Sequence, residues 1–167
     1  MILIGLGGNL ESPEYGPPVQ VLGAALTQLQ VAGVRLGACS PWYCSAPVPA
    51  SDQPWFINGV VRIETALAAQ ALLALLHRIE ERLGRRRGVR WGARIVDLDL
   101  LAYDERVIIG CCEDGLVLPH PRLHERLFVL APLTDLAPSW RHPLSGKTAT
   151  DMLAALGVGQ PLRKIAD

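Results

Sequence analysis

The hydrophobic residues of the chain follow two periods, and each period predicts one type of element. A short, almost continuous apolar segment from Ile2 to Leu6 predicts a buried first strand. Partial alternation predicts a second strand over Val34 to Tyr43, and clear alternation predicts a third over Phe56 to Glu64. A fourth strand is predicted over Ile95 to Leu101, where apolar residues surround two aspartates.

Helical spacing marks three further segments. Apolar residues from Val21 to Leu29 share one face after a pair of prolines, and Gly33 is expected to end that helix. The clearest helix spans Leu67 to Leu83, where apolar residues recur at intervals of three and four. A last short helix is predicted over Thr148 to Leu156, and the residues that follow are interpreted as a tail.

Two segments between these elements are predicted as connections. Ser45 to Pro54 is too rich in proline for regular structure, and we expect an exposed loop that lines a site. Val107 to Gly110 and Leu116 to Leu118 are predicted to pair as a hairpin.

The order strand, helix, strand, strand, helix, strand predicts the fold class. It indicates one α+β domain over residues 1–167, with a ferredoxin-like antiparallel sheet. The elements that follow would enlarge the sheet or cover its other face, which gives a three-layer α/β/α arrangement.

Charge is local rather than global. The 16 basic and 16 acidic residues give a net charge of zero, so there is no overall positive field of the kind that holds duplex DNA or a membrane surface. The four cysteines form no zinc motif, and the N-terminus has no basic leader. We therefore expect a cytoplasmic protein with reduced, buried thiols, no membrane association and no nucleic-acid partner.

Two acidic residues provide the first candidate chemistry. Asp97 and Asp99 share one face of the predicted fourth strand, about 7 Å apart at their α-carbons, because side chains alternate along an extended chain. Apolar neighbours predict that this strand is buried. Buried carboxylates need a counter-charge, which a metal ion or a basic side chain can supply.

The residues before this pair are rich in arginine and glycine. Arg85, Arg87 and Arg94 belong to a cluster with Gly84, Gly88 and Gly92 between its members. Guanidinium groups match phosphate oxygens, so the segment is interpreted as a mobile loop that closes on polyphosphate. Beside an Asp-x-Asp pair, it predicts magnesium and a nucleotide. The alternative is a structural ion-pair network between these arginines and the two aspartates.

Three other polar residues leave two interpretations open. Asn58 lies on the same predicted strand face as Phe56, and it could satisfy a loop or read the edge of a ligand. His77 and Glu80 lie three residues apart near the end of the second helix. They could reach the arginine segment, or they could be solvated surface residues.

Five motifs in this order resemble the family of 6-hydroxymethyl-7,8-dihydropterin pyrophosphokinases. They are Gly5-Leu6-Gly7-Gly8-Asn9, Asp52-Gln53-Pro54-Trp55-Phe56-Ile57-Asn58, Glu80 with Gly84-Arg85-Arg86-Arg87, Trp91-Gly92-Ala93-Arg94-Ile95-Val96-Asp97-Leu98-Asp99, and Leu118-Pro119-His120-Pro121-Arg122. Arg126, Phe128 and Pro132-Leu133 follow in order. The resemblance covers residues 5 to 133 and departs from the usual pattern at Gly8, Ala46, Phe56 and Ala93.

The resemblance implies an activity in folate biosynthesis and a set of site residues. The β,γ-diphosphoryl group of ATP would pass to the hydroxymethyl oxygen of the pterin and release AMP, with two magnesium ions on Asp97 and Asp99. Arg85 and Arg94 would stabilise charge on the transferred group. The implied ATP-binding residues are His77, Glu80, Arg87, Trp91, Arg94, His120 and Arg126. The implied pterin-binding residues are Ser45, Ala46, Val48, Phe56, Asn58 and Phe128, and we expect a monomer.

Two functions from other classes compete with this one. Ferredoxin-like sheets also bind RNA, but Asp97 and Asp99 would place acidic groups where an RNA backbone must pass. A metal-dependent phosphohydrolase could use the same aspartate pair, but it needs a base to activate water, and His120 is the only candidate that the sequence suggests.

Overall fold

A computed structural model describes residues 1–85, 92–110, 115–157, 159 and 161–165 of the chain. Six strands and four α-helices are present in these residues. In chain order they are β1 (Ile2–Gly8), α1 (Pro18–Val31), β2 (Arg35–Cys39), β3 (Tyr43–Ser45), β4 (Phe56–Glu64), α2 (Ala69–Arg82), β5 (Asp97–Tyr103), α3 (Leu127–Leu136), α4 (Ala149–Leu156) and β6 (Leu162–Lys164). A short 3₁₀ helix, Leu123–Glu125, precedes α3.

All strands form one antiparallel sheet in the order β5-β1-β4-β3-β6, and β2 pairs with the same edge of β4 as β3. The order β5, β1, β4, β2 is the arrangement expected of a ferredoxin-like core. Strand β1 lies between β4 and β5, with Gly7 opposite both Asn58 and Asp97. This register brings residues of three strands into one row across the sheet.

Helices cover both faces of the sheet, so the predicted three-layer arrangement is confirmed. One core contains Leu22 of α1 and Leu76 of α2 packed with Ile4 of the sheet. The second core lies on the opposite face, where Leu133 of α3 and Met152 of α4 pack around residues such as Leu101. Alternate residues of each central strand therefore face different helix pairs, as the period of two requires.

The prediction of one strand over Val34 to Tyr43 was wrong. The structure has two strands, which pair with different halves of β4 and are separated by residues 40–42. Pro41 has no backbone N–H to contribute to a ladder, which explains why regular pairing is interrupted. Ser40 keeps contact with β4 instead, because its hydroxyl accepts the Val60 N–H at 3.0 Å.

The interpretation of the C-terminal residues as a tail was also wrong. Strand β6 pairs with β3 and extends the sheet beyond it. Lys164 of this strand and the Tyr43 hydroxyl both contact the Asp135 carboxylate, at 2.8 and 2.7 Å. The final strand is therefore joined to β3 and to α3.

Two other predictions are confirmed only in part. The predicted hairpin is present as a single bridge, in which Ile108 and Leu118 exchange backbone hydrogen bonds, and its turn residues 111–114 lie outside the described residues. Cys44 is a buried free thiol, but Cys39 is exposed, contrary to prediction. Within the described ranges, no helix has the length and apolar character required to cross a bilayer.

Candidate active site

The acidic face of β5 forms one side of the site. Asp97 and Asp99 are half-buried, and both line the same cavity, so the predicted shared face is confirmed. They lie opposite Gly7 and Gly5 of β1. Since glycine has no side chain, the sheet surface beside the two carboxylates stays open.

A cavity of about 150 Å³ lies over this part of the sheet. Its walls come from β1, β4, β5, the proline-rich loop, the 3₁₀ helix and α3. The lining residues are Gly5, Leu6, Gly7, Ser45, Ala46, Pro47, Val48, Phe56, Asn58, Gly59, Arg94, Asp97, Asp99, Arg122, Glu125, Arg126, Phe128 and Val129. Acidic, basic and aromatic side chains therefore face one space.

All six residues predicted to bind the pterin line this cavity: Ser45, Ala46, Val48, Phe56, Asn58 and Phe128. Asn58 is buried, and its amide N–H groups donate to the Ser45 hydroxyl at 2.9 Å and to the Phe56 carbonyl at 3.3 Å. Asn58 therefore satisfies neighbouring strand groups while it also faces the cavity. This position is compatible with both interpretations of Asn58, that it satisfies a loop and that it reads the edge of a ligand.

Each aspartate is paired with arginine in this structure. Arg85 and Arg94 contact the two oxygens of Asp97, each at 2.7 Å, and Arg126 contacts Asp99 at 3.2 Å. Burial and the neighbouring Asp99 raise the pKa of Asp97, and the two arginines oppose that shift. The ion-pair network considered as an alternative is thus present here. It places three guanidinium groups at the acid pair.

Glu80 lies behind Asp97 rather than in the cavity. Its carboxylate is buried, accepts the Leu98 N–H at 2.7 Å and pairs with Arg85. Strand β5 is an edge strand, so this contact satisfies an amide that no other strand covers. The suggestion that Glu80 is a solvated surface residue was wrong. His77 is half-buried on α2 and does not line the cavity.

Burial raises the pKa of Glu80 from 4.5 to about 7, although Arg85 and the Leu98 amide lower it. The folded protein therefore holds this proton more tightly than the unfolded chain does. Consequently the free energy of unfolding falls as the pH rises from 4.5 through about 7. We expect this loss to be on the order of 1–3 kcal/mol.

The Glu80→Gln variant tests this prediction, because glutamine cannot titrate. Urea unfolding at pH 5 and pH 7.5 should show a smaller loss of stability in the variant than in the unmodified chain. Part of the loss will remain, since the pKa of Asp97 is shifted in the same direction. Glu81→Gln, on the exposed neighbouring position, is the matched control. An unchanged pH dependence in Glu80→Gln would contradict the prediction.

The other residues predicted to bind ATP are His120, Arg87 and Trp91. The His120 backbone N–H donates to the Leu101 carbonyl at 2.8 Å, and His120 does not line the cavity; burial lowers the pKa of its imidazole, and the charge of Asp99 opposes this shift. Arg87 and Trp91 lie outside the described residues. Arg122 and Glu125 also line the cavity and pair with each other at 3.5 Å, although no role was predicted for them. Arg122 belongs to the Leu118–Arg122 motif, whereas no sequence pattern marked Glu125.

The family model for 7,8-dihydro-6-hydroxymethylpterin-pyrophosphokinase (HPPK) matches residues 3–138. This range contains every predicted site residue. The chain belongs to the HPPK family. The match ends before α4, so α4 and β6 lie outside the part that the family model describes.

Individual relatives agree with this membership. The chain is 40% identical to a 2-amino-4-hydroxy-6-hydroxymethyldihydropteridine pyrophosphokinase of Synechocystis sp., over 90% of this chain and 73% of the relative. It is also 40% identical to the protein of that name in Pseudomonas aeruginosa, over 92% of this chain and 90% of the relative. As an HPPK, the chain is an ATP-dependent diphosphotransferase that acts on hydroxymethyldihydropterin in folate biosynthesis.

Solved structures support the fold. The crystal structure of wild-type Plasmodium falciparum HPPK-DHPS with STZ-DHP matches with a TM-score of 0.68 and 15% identity, over 92% of this chain. The match covers 42% of the Plasmodium chain, so this HPPK spans less than half of that protein. At this identity the similarity concerns the fold of the domain.

Proposed function

We propose that diphosphoryl transfer takes place in the cavity above β1 and β5, with the pterin at the aromatic wall and the ATP phosphates at the acidic wall. One observation carries this proposal. The two aspartates, Arg94 and Arg126 line the same cavity as all six residues expected to bind the pterin. An acceptor hydroxyl and a phosphate chain held at these two walls would be adjacent.

Asp97 and Asp99 suit magnesium ions that arrive with ATP. No cluster of three or more histidine, cysteine, aspartate or glutamate side chains occurs among the residues that the structure describes. Magnesium commonly takes one or two carboxylates and completes its shell with phosphate oxygens and water, so two acids on one strand suffice. Asp97 and Asp99 would hold the two ions, whose charge would neutralise the phosphates and make the pterin hydroxyl a better nucleophile.

The guanidinium groups have to change partners in this proposal. Arg94 and Arg126 now neutralise the aspartates at 2.7 and 3.2 Å. With cations held by the aspartates, both arginines would be available to phosphate oxygens, which they can bind with two parallel N–H groups. Arg85 keeps its buried partner Glu80 and so stays beside Asp97. The same guanidinium charges would then stabilise the transferred group instead of the two aspartates.

The remaining ATP-binding residues are proposed from family resemblance. His120 is close enough to Asp99 for the carboxylate charge to affect the pKa of its imidazole, which suits contact with phosphate or ribose. His77 and Glu80 both lie on α2, and Glu80 acts through Arg85, which contacts Asp97. Arg87 and Trp91 complete the set, and closure of the arginine segment over ATP would exclude water and suppress hydrolysis.

Phe56 and Phe128 are proposed to hold the flat pterin ring between them. Both line the cavity, and Asn58, Ser45 and the backbone near Val48 provide polar groups at the ring edge. The Arg126 guanidinium lies 5.6 Å from the centre of the Phe128 ring. Arg126 therefore has to move away before the pterin can stack on that face.

Product analysis separates this function from the two alternatives. With ATP and magnesium, we expect AMP and a pterin diphosphate only when hydroxymethyldihydropterin is present. Release of phosphate or pyrophosphate from ATP alone, at a rate independent of the pterin, would instead indicate a phosphohydrolase. Tight, salt-sensitive RNA binding without AMP formation would support an RNA-binding domain.

We also propose that the enzyme acts as a cytoplasmic monomer. Both described cysteines are free thiols, which fits a reducing compartment. Among the described residues, the large apolar side chains that are exposed are not consecutive in sequence, as at Val31, Val48 and Leu144. Gel filtration at micromolar concentration should give a mass close to 18.1 kDa.

A further inference from the structure

Asn9 follows β1 directly and is only 4% exposed. It ends the glycine-rich motif of the first strand, and neither the metal site nor the two substrate walls assigns a role to Asn9 itself. Its side chain does not line the cavity. The position is nevertheless central, since β1 runs between the strand of the aspartates and the strand of Phe56 and Asn58.

The Asn9 amide connects two segments that are distant in sequence. Its Oδ1 accepts the backbone N–H of Arg94 at 2.8 Å, and its Nδ2 donates to the Pro54 carbonyl at 2.9 Å. The Asn9 backbone N–H also donates to the Arg94 carbonyl at 3.0 Å. The amide orientation is determined by these partners, because a backbone N–H can only donate and a carbonyl can only accept.

The two segments joined by Asn9 contribute to two walls of the cavity: the acidic wall, here called the phosphate wall, and the aromatic wall, here called the pterin wall. Arg94 lines the phosphate wall and pairs with Asp97 at 2.7 Å. Pro54 ends the proline-rich loop and lies two residues before Phe56, which lines the pterin wall. One buried side chain thus sets the position of the arginine segment relative to the entry of β4.

Gly8 allows this contact. A Cβ atom added at Gly8 would overlap the carbonyl oxygen of Ile95, so a side chain there would push the end of β1 away from residues 94 and 95. The close approach of the two backbones is what brings Asn9 within hydrogen-bonding distance of Arg94. Glycine at position 8 therefore fits the close packing of these two backbones.

We propose that Asn9 is a positioning residue for diphosphoryl transfer, which holds the phosphate wall and the pterin wall at the separation that the reaction needs. This inference rests on the proposed function of the cavity. Each substrate contacts its own wall, so loss of the bridge should affect the alignment of the reacting atoms more than the affinity for either substrate. Misplacement by about 1 Å can lower a rate about 100-fold.

Asn9→Ala removes both side-chain hydrogen bonds and tests the proposal through steady-state kinetics of AMP formation. We expect kcat to fall about 30- to 100-fold, with the KM values for ATP and the pterin within about threefold of the unmodified enzyme. Tyr103→Phe is the matched control. It removes a partly buried 2.6 Å hydrogen bond from the Tyr103 hydroxyl to the Leu67 carbonyl at the opposite end of β5, and it should retain full kcat.

Urea unfolding of both variants gives the folded fraction, to which kcat is normalised. If Asn9→Ala folds poorly, Asn9→Ser provides a second variant with a shorter polar side chain that cannot span both partners. A normalised kcat equal to that of the unmodified enzyme would overturn the proposal and leave Asn9 with a purely structural role. A tenfold rise in the pterin KM at unchanged kcat would also overturn it, since that result marks a substrate-binding role.

Asn9→Asp separates the two contacts. The carboxylate can still accept the Arg94 N–H, but it repels the Pro54 carbonyl, so we expect a loss of kcat similar to that of Asn9→Ala. Full activity of Asn9→Asp would show that the bridge to Pro54 is unnecessary and would overturn the proposal. Absence of pterin-dependent AMP formation in the unmodified enzyme would overturn the proposed function itself, and with it the role of Asn9.

Discussion

Replacing Asp97 or Asp99 by alanine should reduce AMP formation at least about 1000-fold, which corresponds to about 4 kcal/mol of transition-state stabilisation. The reason is that each carboxylate is proposed to hold a cation at the phosphate chain. Without one of them, the charge on the transferred group loses a counter-ion in a partly buried site. Steady-state AMP release with hydroxymethyldihydropterin measures the effect.

The two variants should remain folded. In the unmodified protein the pKa of Asp97 is raised, which means that burial and Asp99 disfavour its ionised form. Removal of this carboxyl group therefore costs little stability, and Arg85 keeps Glu80 as a partner. Asp104→Ala is the matched control, because Asp104 follows the same strand and forms an exposed ion pair with the N-terminus at 2.9 Å. Activity within tenfold of the unmodified enzyme in either variant would refute the metal role.

Arg94→Ala should lower kcat by about 100- to 1000-fold, the range seen when one preorganised donor to a developing charge is removed. The guanidinium now contacts Asp97 at 2.7 Å and lines the cavity, so it is already placed at the acid pair. The backbone N–H that Asn9 accepts is retained in the variant. The substitution therefore removes the charge without removing the bridge to β1.

Arg94→Lys and Arg35→Ala sharpen this test. Lysine keeps the charge but not the planar pair of donors, so we expect it to recover about tenfold of the lost kcat. Arg35 forms a surface pair with Glu64 at 3.1 Å and is 81% exposed, so its replacement should leave turnover unchanged. A change confined to the KM for ATP in Arg94→Ala would indicate ground-state binding and contradict a role in the transition state.

The elements were predicted well where local pattern decides them. The alternation over Phe56 to Glu64 and the helical spacing of the second helix both match observed elements, β4 and α2. The break near Pro41 was missed, although the missing N–H of proline was visible in the sequence. Strand β6 could not be predicted, because three residues have no useful period and pair only with β3.

The candidate site likewise has features that the local sequence pattern predicts and features that only tertiary packing decides. The period of two placed Asp97 and Asp99 on one face, and both line the cavity. The spacing of residues could not predict that Glu80 is buried. Its carboxylate is held by the Leu98 N–H, which no neighbouring strand covers, and by Arg85. The contribution of Arg122 and Glu125 to the cavity likewise depends on where the 3₁₀ helix packs.

The sequence by itself determined the alternation of the strands, the aromatic and acidic residues that share a face, and the motifs of a pyrophosphokinase. These features are local, since backbone geometry repeats every two or 3.6 residues. Only the tertiary structure decided which arginine meets which aspartate, that Glu80 is buried behind them, and that Asn9 joins Arg94 to Pro54. Apart from Arg94 and Asp97, which are three residues apart, those contacts join residues that lie far apart along the chain, and they form only when the sheet and its loops pack together.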